Sequence, residues 1–369
     1  MANKVLVAGA SGLVGHAAIE EFASMPGWQV VGVSRRTPND VPGAGFLSVD
    51  LLDAGACERT FEAMGDVTHL VYAALQEEPG LMPGWLDAEV MERNAAMLRN
   101  LFEPLSRVAT GLQHVTLLHG TKAYGLHHPS VGYAGVRIPL RERDPRNEHP
   151  NFYFLQEDYL REKQRGQSWA ITVYRPTVIY GDAPGNNMNP TLAIAVYAAL
   201  LRERGEPLHF PGRGAERVLR EAVDARLVAR AIAWGATAAG ARKETFNLTN
   251  GDVFTWEGVW PAIAETLGMK VGEHRPMSFA TDLPKQDPEW AALVEKHGLH
   301  AARSIVEFVG YNSLVYADVM MAGVNPSPVP ALNSTIKARQ AGFHDCMDTE
   351  DMFRQQFASL QERGVIPRP

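Results

Sequence analysis

The chain has 369 residues, 46% of them apolar and 21% charged, which suits a soluble globular enzyme with one large core and a smaller part attached. A formal net charge of −7 makes it a poor general binder of polyanions, so no nucleic-acid partner is expected. Two cysteines, Cys57 and Cys346, cannot build a disulfide-rich secreted fold in a chain this long, and both are expected to be reduced, buried fillers.

Residues 4–8 (KVLVA) are a short β-branched run that ends in glycines, the pattern of a buried parallel strand. The run is too short and too early for a signal peptide. No stretch reaches the roughly 18 uncharged apolar residues of a membrane span, so a cytoplasmic protein without a membrane partner is expected. Residues 13–25 read as a helix, 28–33 (WQVVGV) and 45–49 (GFLSV) as strands, and 57–64 as a short helix. A strand at 69–74 (HLVYAA), a long helix at 88–108, a strand at 114–119 (HVTLLH), a helix at 151–166 and a strand at 170–179 (AITVYRPTVI) follow. Strands alternating with helices predict βαβ units in an α/β, doubly wound parallel sheet of the Rossmann kind.

After Gly181 a Gly/Asn/Pro-rich loop (GDAPGNNMNP) leads into helices at 191–204 and 223–235, a strand at 245–249, and a mostly helical remainder. Pro326, Pro328 and Pro330 mark a surface loop. The expected division is a dinucleotide-binding part over residues 1–180, joined by 223–250, and a smaller, mostly helical substrate-binding part over 181–222 and 251–369.

Gly9, Gly12 and Gly15, in G-A-S-G-L-V-G, stand directly between a predicted strand and a predicted helix. The first glycine permits the tight turn, the second lets a pyrophosphate approach the backbone, and the third lets the helix pack close to the sheet. Ser11, Leu13 and Val14 complete this loop. The spacing is that of short-chain dehydrogenase/reductase (SDR) proteins. An NAD site needs an acidic side chain after the second strand, yet the chain has Ser34-Arg35-Arg36 there. Two guanidinium groups suit a 2′-phosphate, so the expected cofactor is NADP(H). Asp50 and Leu51 end the third strand, where SDR proteins hold the adenine, and Ala73 and Ala74 end the fourth, beside the cofactor path.

Ordinary SDR enzymes carry Tyr-x-x-x-Lys on one helix. Here Tyr153 is followed four residues later by Glu157, and the lysine is Lys122, in H-G-T-K-A-Y-G after the fifth strand. Together these segments resemble the progesterone 5β-reductase/iridoid synthase-like enone reductases, an atypical extended SDR family. Gly120, Lys122 and Tyr124 match the family's G-x-K-x-Y, and Asn151, Phe152, Tyr153, Glu157 and Asp158 match its N-F-Y-Y-x-x-E-D. Tyr174 to Gly181 (Y-R-P-T-V-I-Y-G) and Phe246 to Trp256 (F-N-L-T-N-G-D-V-F-T-W) are similar to two further family segments. The similarity runs from about residue 4 to about residue 345. Phe154 replaces the family's second tyrosine, and residues 312–332, the family's substrate wall, match poorly.

The resemblance implies addition of hydride to the β-carbon of an α,β-unsaturated carbonyl, with Tyr153 and Lys122 as the catalytic pair. Both offer donors to the carbonyl oxygen as it becomes an enolate. The Lys122 ammonium is expected to pull the Tyr153 pKa below about 10. Glu157, one turn from Tyr153, reads as a structural partner. Thr121, Tyr153, Pro176, Val178, Asn187 and Met188 are expected to contact the cofactor, with Asn187 and Met188 bordering the nicotinamide or the substrate, a small-molecule enone or carbonyl compound. Carbonyl reduction by the same donors stays open, as do an epimerase, a non-catalytic NADP(H) sensor and a homodimer. His127-His128 reads as a solvated loop and not a metal pair. Met320-Met321 and the seven tryptophans read as packing.

Overall fold

The computed structural model describes residues 3–36, 41–132, 134–212, 214–322 and 330–369. In chain order the strands are β1 (Asn3–Ala8), β2 (Trp28–Ser34), β3 (Ala44–Ser48), β4 (His69–Tyr72), β5 (His114–Leu118), β6 (Ala170–Pro176), β7 (Ile179–Tyr180), β8 (Val223–Asp224) and β9 (Thr245–Leu248). Among the described residues a seven-stranded sheet runs β3-β2-β1-β4-β5-β6-β9, every pair parallel, and β7 pairs with β8 apart from it. The direction of strand order reverses between β1 and β4. That reversal opens a crevice beyond Ala8 and Tyr72, where open α/β sheets bind ligands.

The period of two explains how both faces are covered. Val5 and Val7 of β1 point into one apolar layer with Val14, Ala18, Ile19 and Phe22 of α1 (Leu13–Ser24). Leu6 and Ala8 point into the other, which holds Cys57 and Phe61 of α2 (Ala54–Phe61), Leu98, Leu101 and Phe102 of α3 (Ala88–Val108), and Leu160 of α4 (Phe152–Gln164). The later part of the chain surrounds α5 (Pro190–Glu203), which is buried on all sides from Pro190 to Leu201. A helix so uniformly apolar belongs inside a core. Helix α6 (Ala225–Thr237) returns to the sheet and covers α1, while α7 (Trp256–Thr266) contributes Trp256 and Trp260 to the second core. Around them lie α8 (Phe279–Asp282), α9 (Asp287–His297), α10 (Ile305–Val309), α11 (Tyr311–Ala322), α12 (Ile336–Gln340) and α13 (Thr349–Glu362).

Most expected boundaries shift by a residue or two, and three of the shifts have clear local reasons. The sixth strand stops at Pro176; the next amide, Thr177 N, still donates to Leu248 O at 3.0 Å, and Ile179–Tyr180 then leaves to pair with β8. The helix expected from 223 begins at Ala225, because Val223 and Asp224 serve as β8 and the Asp224 carboxylate caps the helix by accepting from Arg226 N at 2.7 Å. The helix expected from 57 begins at Ala54, capped by Asp53. Cys57 is buried as expected, but Cys346 is exposed, which corrects its reading as a buried filler. Pro326 and Pro328 lie outside the described residues.

The segment 246–256 is a junction. The buried Asn247 donates to Leu140 O at 3.0 Å, and Asn247 Oδ1 accepts from Tyr124 Oη at 2.7 Å. Asn250 Oδ1 accepts from Asp224 N at 2.9 Å, and its Nδ2 donates to Thr349 Oγ1 at 3.1 Å. These bonds lock β8, β9 and the start of α13 together, so much of this segment works as scaffold.

Gly15 sets how closely α1 sits on the β1 turn: a Cβ there would lie 2.1 Å from Gly9 O. Gly15→Ala should therefore lower stability by about 1–3 kcal/mol through overpacking, although alanine alone favours a helix by about 1 kcal/mol. Urea denaturation checks the sign; an unchanged or raised midpoint would mean that α1 is not seated this way.

Candidate active site

A cavity of about 680 Å³ occupies the crevice. Gly9, Ser11, Gly12, Leu13, Val14, Ser34, Arg35, Arg36, Asp50, Leu51, Ala73 and Ala74 line one half of it. Gly15 does not reach the wall; its role is the close packing already described. Gly9 has φ +87°, and a Cβ on it would meet Ala73 O at 2.7 Å and Ala74 N at 2.8 Å, so only glycine passes between β1 and β4 here. Helix α1 starts at this turn with no side-chain cap and no acidic residue in its first turn. Its first amides are therefore available to an anion. Arg35 and Arg36 are exposed at the mouth, where Arg36 Nη2 donates to Gly185 O at 3.1 Å. Asp50 also lines the cavity and accepts from Leu52 N at 3.0 Å. A bare-backbone cradle, an uncapped helix terminus and two guanidinium groups fit a dinucleotide.

Tyr153, Lys122, Thr121, Pro176, Val178, Asn187 and Met188 line the adjoining half. Tyr153 is buried on the first turn of α4, which begins there because Asn151 Oδ1 accepts from Tyr153 N at 3.0 Å. Lys122 lies in a 3₁₀ turn, residues Thr121–Tyr124, directly after β5. Asn151 Nδ2 donates to Lys122 O at 2.9 Å, tying that turn to the helix. The Lys122 Nζ sits 5.9 Å from the Tyr153 ring centre. A Cβ on Gly120 would lie 3.3 Å from Tyr153 Oη, so the phenol approaches the bare backbone of that turn. His119 stacks on the Tyr153 ring at 4.5 Å, and burial drives its pKa down to about 3, leaving a neutral imidazole. Met188 takes φ +56°, at a tight turn of the wall, and Asn187 Oδ1 accepts from Asn312 Nδ2 at 3.3 Å.

One expectation about charge fails. Tyr153 is not acidified by Lys122: burial, the Glu77 carboxylate and Tyr316 all push its pKa upward, so it is a neutral phenol. Glu157, where an ordinary SDR has its lysine, is buried and paired with Arg161 at 2.7 Å and Arg146 at 2.9 Å. Burial disfavours its charge, but the charges of Arg161 and Arg146 and the Arg161 hydrogen bond oppose that, and the carboxyl stays below its usual range. Glu157 is a structural partner, as its spacing implied. Tyr124, matched by motif, is also structural through Asn247.

Several cavity residues were not anticipated. Trp85, Met82, Leu86, Leu126, Phe152, Leu219, Val319 and Met320 make this half apolar. Trp85 and Met320, packing residues by their sequence pattern, and Pro330, a surface-loop residue by its own, all face the cavity. His127, read as solvated, also lines it, and burial lowers its pKa to about 3. Among the described residues no group of His, Cys, Asp or Glu could hold a metal ion, and no helix is long and apolar enough to cross a membrane. Glu221 lines the wall and accepts from Asn333 Nδ2 at 2.7 Å and Asn333 N at 2.9 Å.

A family model described as a PRISE-like Rossmann-fold domain matches residues 56–325. An (S)-8-oxocitronellyl enol synthase from Camptotheca acuminata is 30% identical over 381 residues, covering 98% of this chain and 93% of its own. A 3-oxo-Delta(4,5)-steroid 5-beta-reductase from Arabidopsis thaliana is 30% identical over 374 residues, covering 98% and 92%. Among solved structures, a UDP-glucose 4-epimerase from Thermotoga maritima superposes with TM-score 0.67 at 18% identity, covering 97% of this chain and 99% of its own. That likeness is one of fold.

Burial pushes the Glu221 carboxyl up to about 7, against the two bonds from Asn333. Between its ordinary value of 4.5 and about 7, the folded chain holds a proton that the unfolded chain has lost. The folded pKa is the raised one, so this group's contribution to stability is full at low pH and is lost as pH rises through that window. Glu221→Gln should remove up to about 3 kcal/mol of the decline between about pH 5 and about pH 8. Urea denaturation at the two pH values checks this; parallel wild-type and variant curves would contradict it.

Proposed function

Because this chain belongs to the PRISE-like Rossmann-fold family, we propose that it is an NADPH-dependent oxidoreductase that reduces the C=C bond of an α,β-unsaturated carbonyl compound. The observation that carries this reading is the catalytic wall: Tyr153 and Lys122 come from separate elements, and Glu157 stands tied to two arginines where an ordinary carbonyl reductase has its lysine. On this reading the half with the glycine turn holds the dinucleotide, Arg35 and Arg36 meet its 2′-phosphate, and the apolar half covers the substrate.

Bound there, the cofactor supplies the hydride. Reduction at the β-carbon leaves negative charge on the carbonyl oxygen. Tyr153 donates its phenolic hydrogen to that oxygen, and the Lys122 ammonium adds positive charge beside it. An enolate needs a strong hydrogen bond more than it needs a full proton. A neutral, buried phenol with a raised pKa suits that demand better than it suits rapid protonation of an alkoxide. Solvent supplies the one proton that returns the saturated carbonyl. Met82, Leu86, Leu126 and Val319 offer an apolar bed, which favours a compact hydrocarbon framework on the substrate.

Tyr153→Phe and Lys122→Ala should each cut turnover of an enone such as cyclohexenone on the order of 100-fold while leaving NADPH binding nearly unchanged. Loss of NADPH absorbance gives the first quantity and a fluorescence titration of the cofactor the second. Wild-type turnover in both variants would sink the assignment.

The chain should also prefer NADPH to NADH. Replacing Arg35 and Arg36 together by alanine should reduce that preference about tenfold or more, from the loss of charge-assisted hydrogen bonds. Equal specificity constants for the two cofactors in the wild type would contradict the assigned role of the arginine pair.

A further inference from the structure

Behind the cavity wall, Lys122 meets a carboxylate that does not line the cavity. Glu77 Oε1 lies 3.1 Å from Lys122 Nζ, and the Glu77 side chain is 1% exposed. Its second oxygen is also engaged: Trp85 Nε1 donates to Glu77 Oε2 at 3.0 Å. The Lys122 ammonium lies 4.3 Å from the centre of the Trp85 ring. Trp85, Lys122 and Tyr153 face the cavity, whereas Glu77 stays behind them.

We propose that Glu77 is a positioning residue for the reduction: a buried counter-ion that pins the Lys122 ammonium over Trp85 and beside Tyr153. The proposal rests on the reading above, in which Lys122 and Tyr153 stabilise a developing enolate. Two physical needs support it. A lysine side chain has many rotamers, and a donor aimed at a transition state must be held in one of them. The ion pair and the aromatic face supply that restraint. A buried amine also tends to lose its proton. Burial lowers the Lys122 pKa, and the Glu77 charge and hydrogen bond oppose that loss.

The other titratable groups around Lys122 do not replace Glu77. His127 is neutral, held down to about 3 by burial and by Lys122 itself. His149 meets Lys122 at its backbone carbonyl, with Nε2 at 3.3 Å. Tyr153 is a neutral phenol. Glu77 acts on that phenol too, since its negative charge opposes ionisation of the hydroxyl. One carboxylate thus favours both the charged form of the lysine and the protonated form of the tyrosine.

The test follows the Lys122 side chain directly. In protein labelled with isotopic lysine, NMR titration of Lys122, assigned from a Lys122→Met sample, reads its pKa without turnover. Glu77→Gln keeps the size of the side chain and removes its charge. It should lower the Lys122 pKa by about one to three pH units, and the basic limb of the kcat profile with cyclohexenone should move down with it. Glu77→Asp keeps the charge on a shorter arm and should show a smaller displacement of both, which decides the matter if Glu77→Gln does not fold. A Lys122 titration and a pH profile that are unchanged in the variants would overturn the proposal. So would a uniform loss of activity at every pH with the Lys122 titration intact, which is what a merely structural role gives. Wild-type turnover in Lys122→Met would overturn the enone-reductase role of Lys122 itself, an outcome separate from either result for Glu77.

Discussion

The candidate chemistry depends on one side chain that joins two otherwise separate elements. Asn151 caps α4 through Tyr153 N and, with its other amide atom, donates to the Lys122 carbonyl. Tyr153 and Lys122 are 31 positions apart in the sequence, yet each is fixed relative to the other through that amide. In the usual SDR arrangement one helix carries both groups and helical periodicity fixes their spacing. Here the spacing is set by a cap. Losing the Asn151 amide would leave a helix amide and a loop carbonyl without these partners at once.

Charge is arranged around this junction in two layers. The inner layer is the Lys122 ammonium with Glu77 and the Trp85 ring; the outer is Glu157 with Arg146 and Arg161. In these layers Lys122 and Glu157 each have an opposite charge within hydrogen-bond reach, which offsets the cost of burying charge. Tyr153 lies between the layers, neutral and stacked on a neutral His119. A wall built this way presents hydrogen-bond donors to an oxygen without carrying a large net charge into the apolar half of the cavity.

The fold and the glycine-lined half of the cavity were legible in the sequence because their signals are local. Gly9, Gly12 and Gly15 fall within seven residues, and each answers a steric demand of the turn or of the helix above it. Arg35 and Arg36 sit directly after a strand whose end the parallel order places at the crevice. Lys122 and Tyr153 were legible by resemblance, and each lies within a short motif. Glu77, Trp85 and Glu221 were not, because what marks them is a partner far along the chain: Lys122 for Glu77, and Asn333 for Glu221. The upward direction of the Tyr153 pKa is hidden from the sequence for the same reason. A nearby ammonium was visible in the sequence, but the burial of the ring and the carboxylate behind the lysine were not. His127 and Met320 show the converse: residues with a bland local reading become wall residues only through the tertiary fold.

In the proposed reaction the donors of Tyr153 and Lys122 converge on a carbonyl oxygen while hydride adds at the β-carbon. Turnover of cyclohexenone with NADPH carrying deuterium at the transferred position tests it most directly. Deuterium at the β-carbon of cyclohexanone is the predicted result. Deuterium on the carbinol carbon of cyclohexenol would contradict the account and would make the protein a carbonyl reductase.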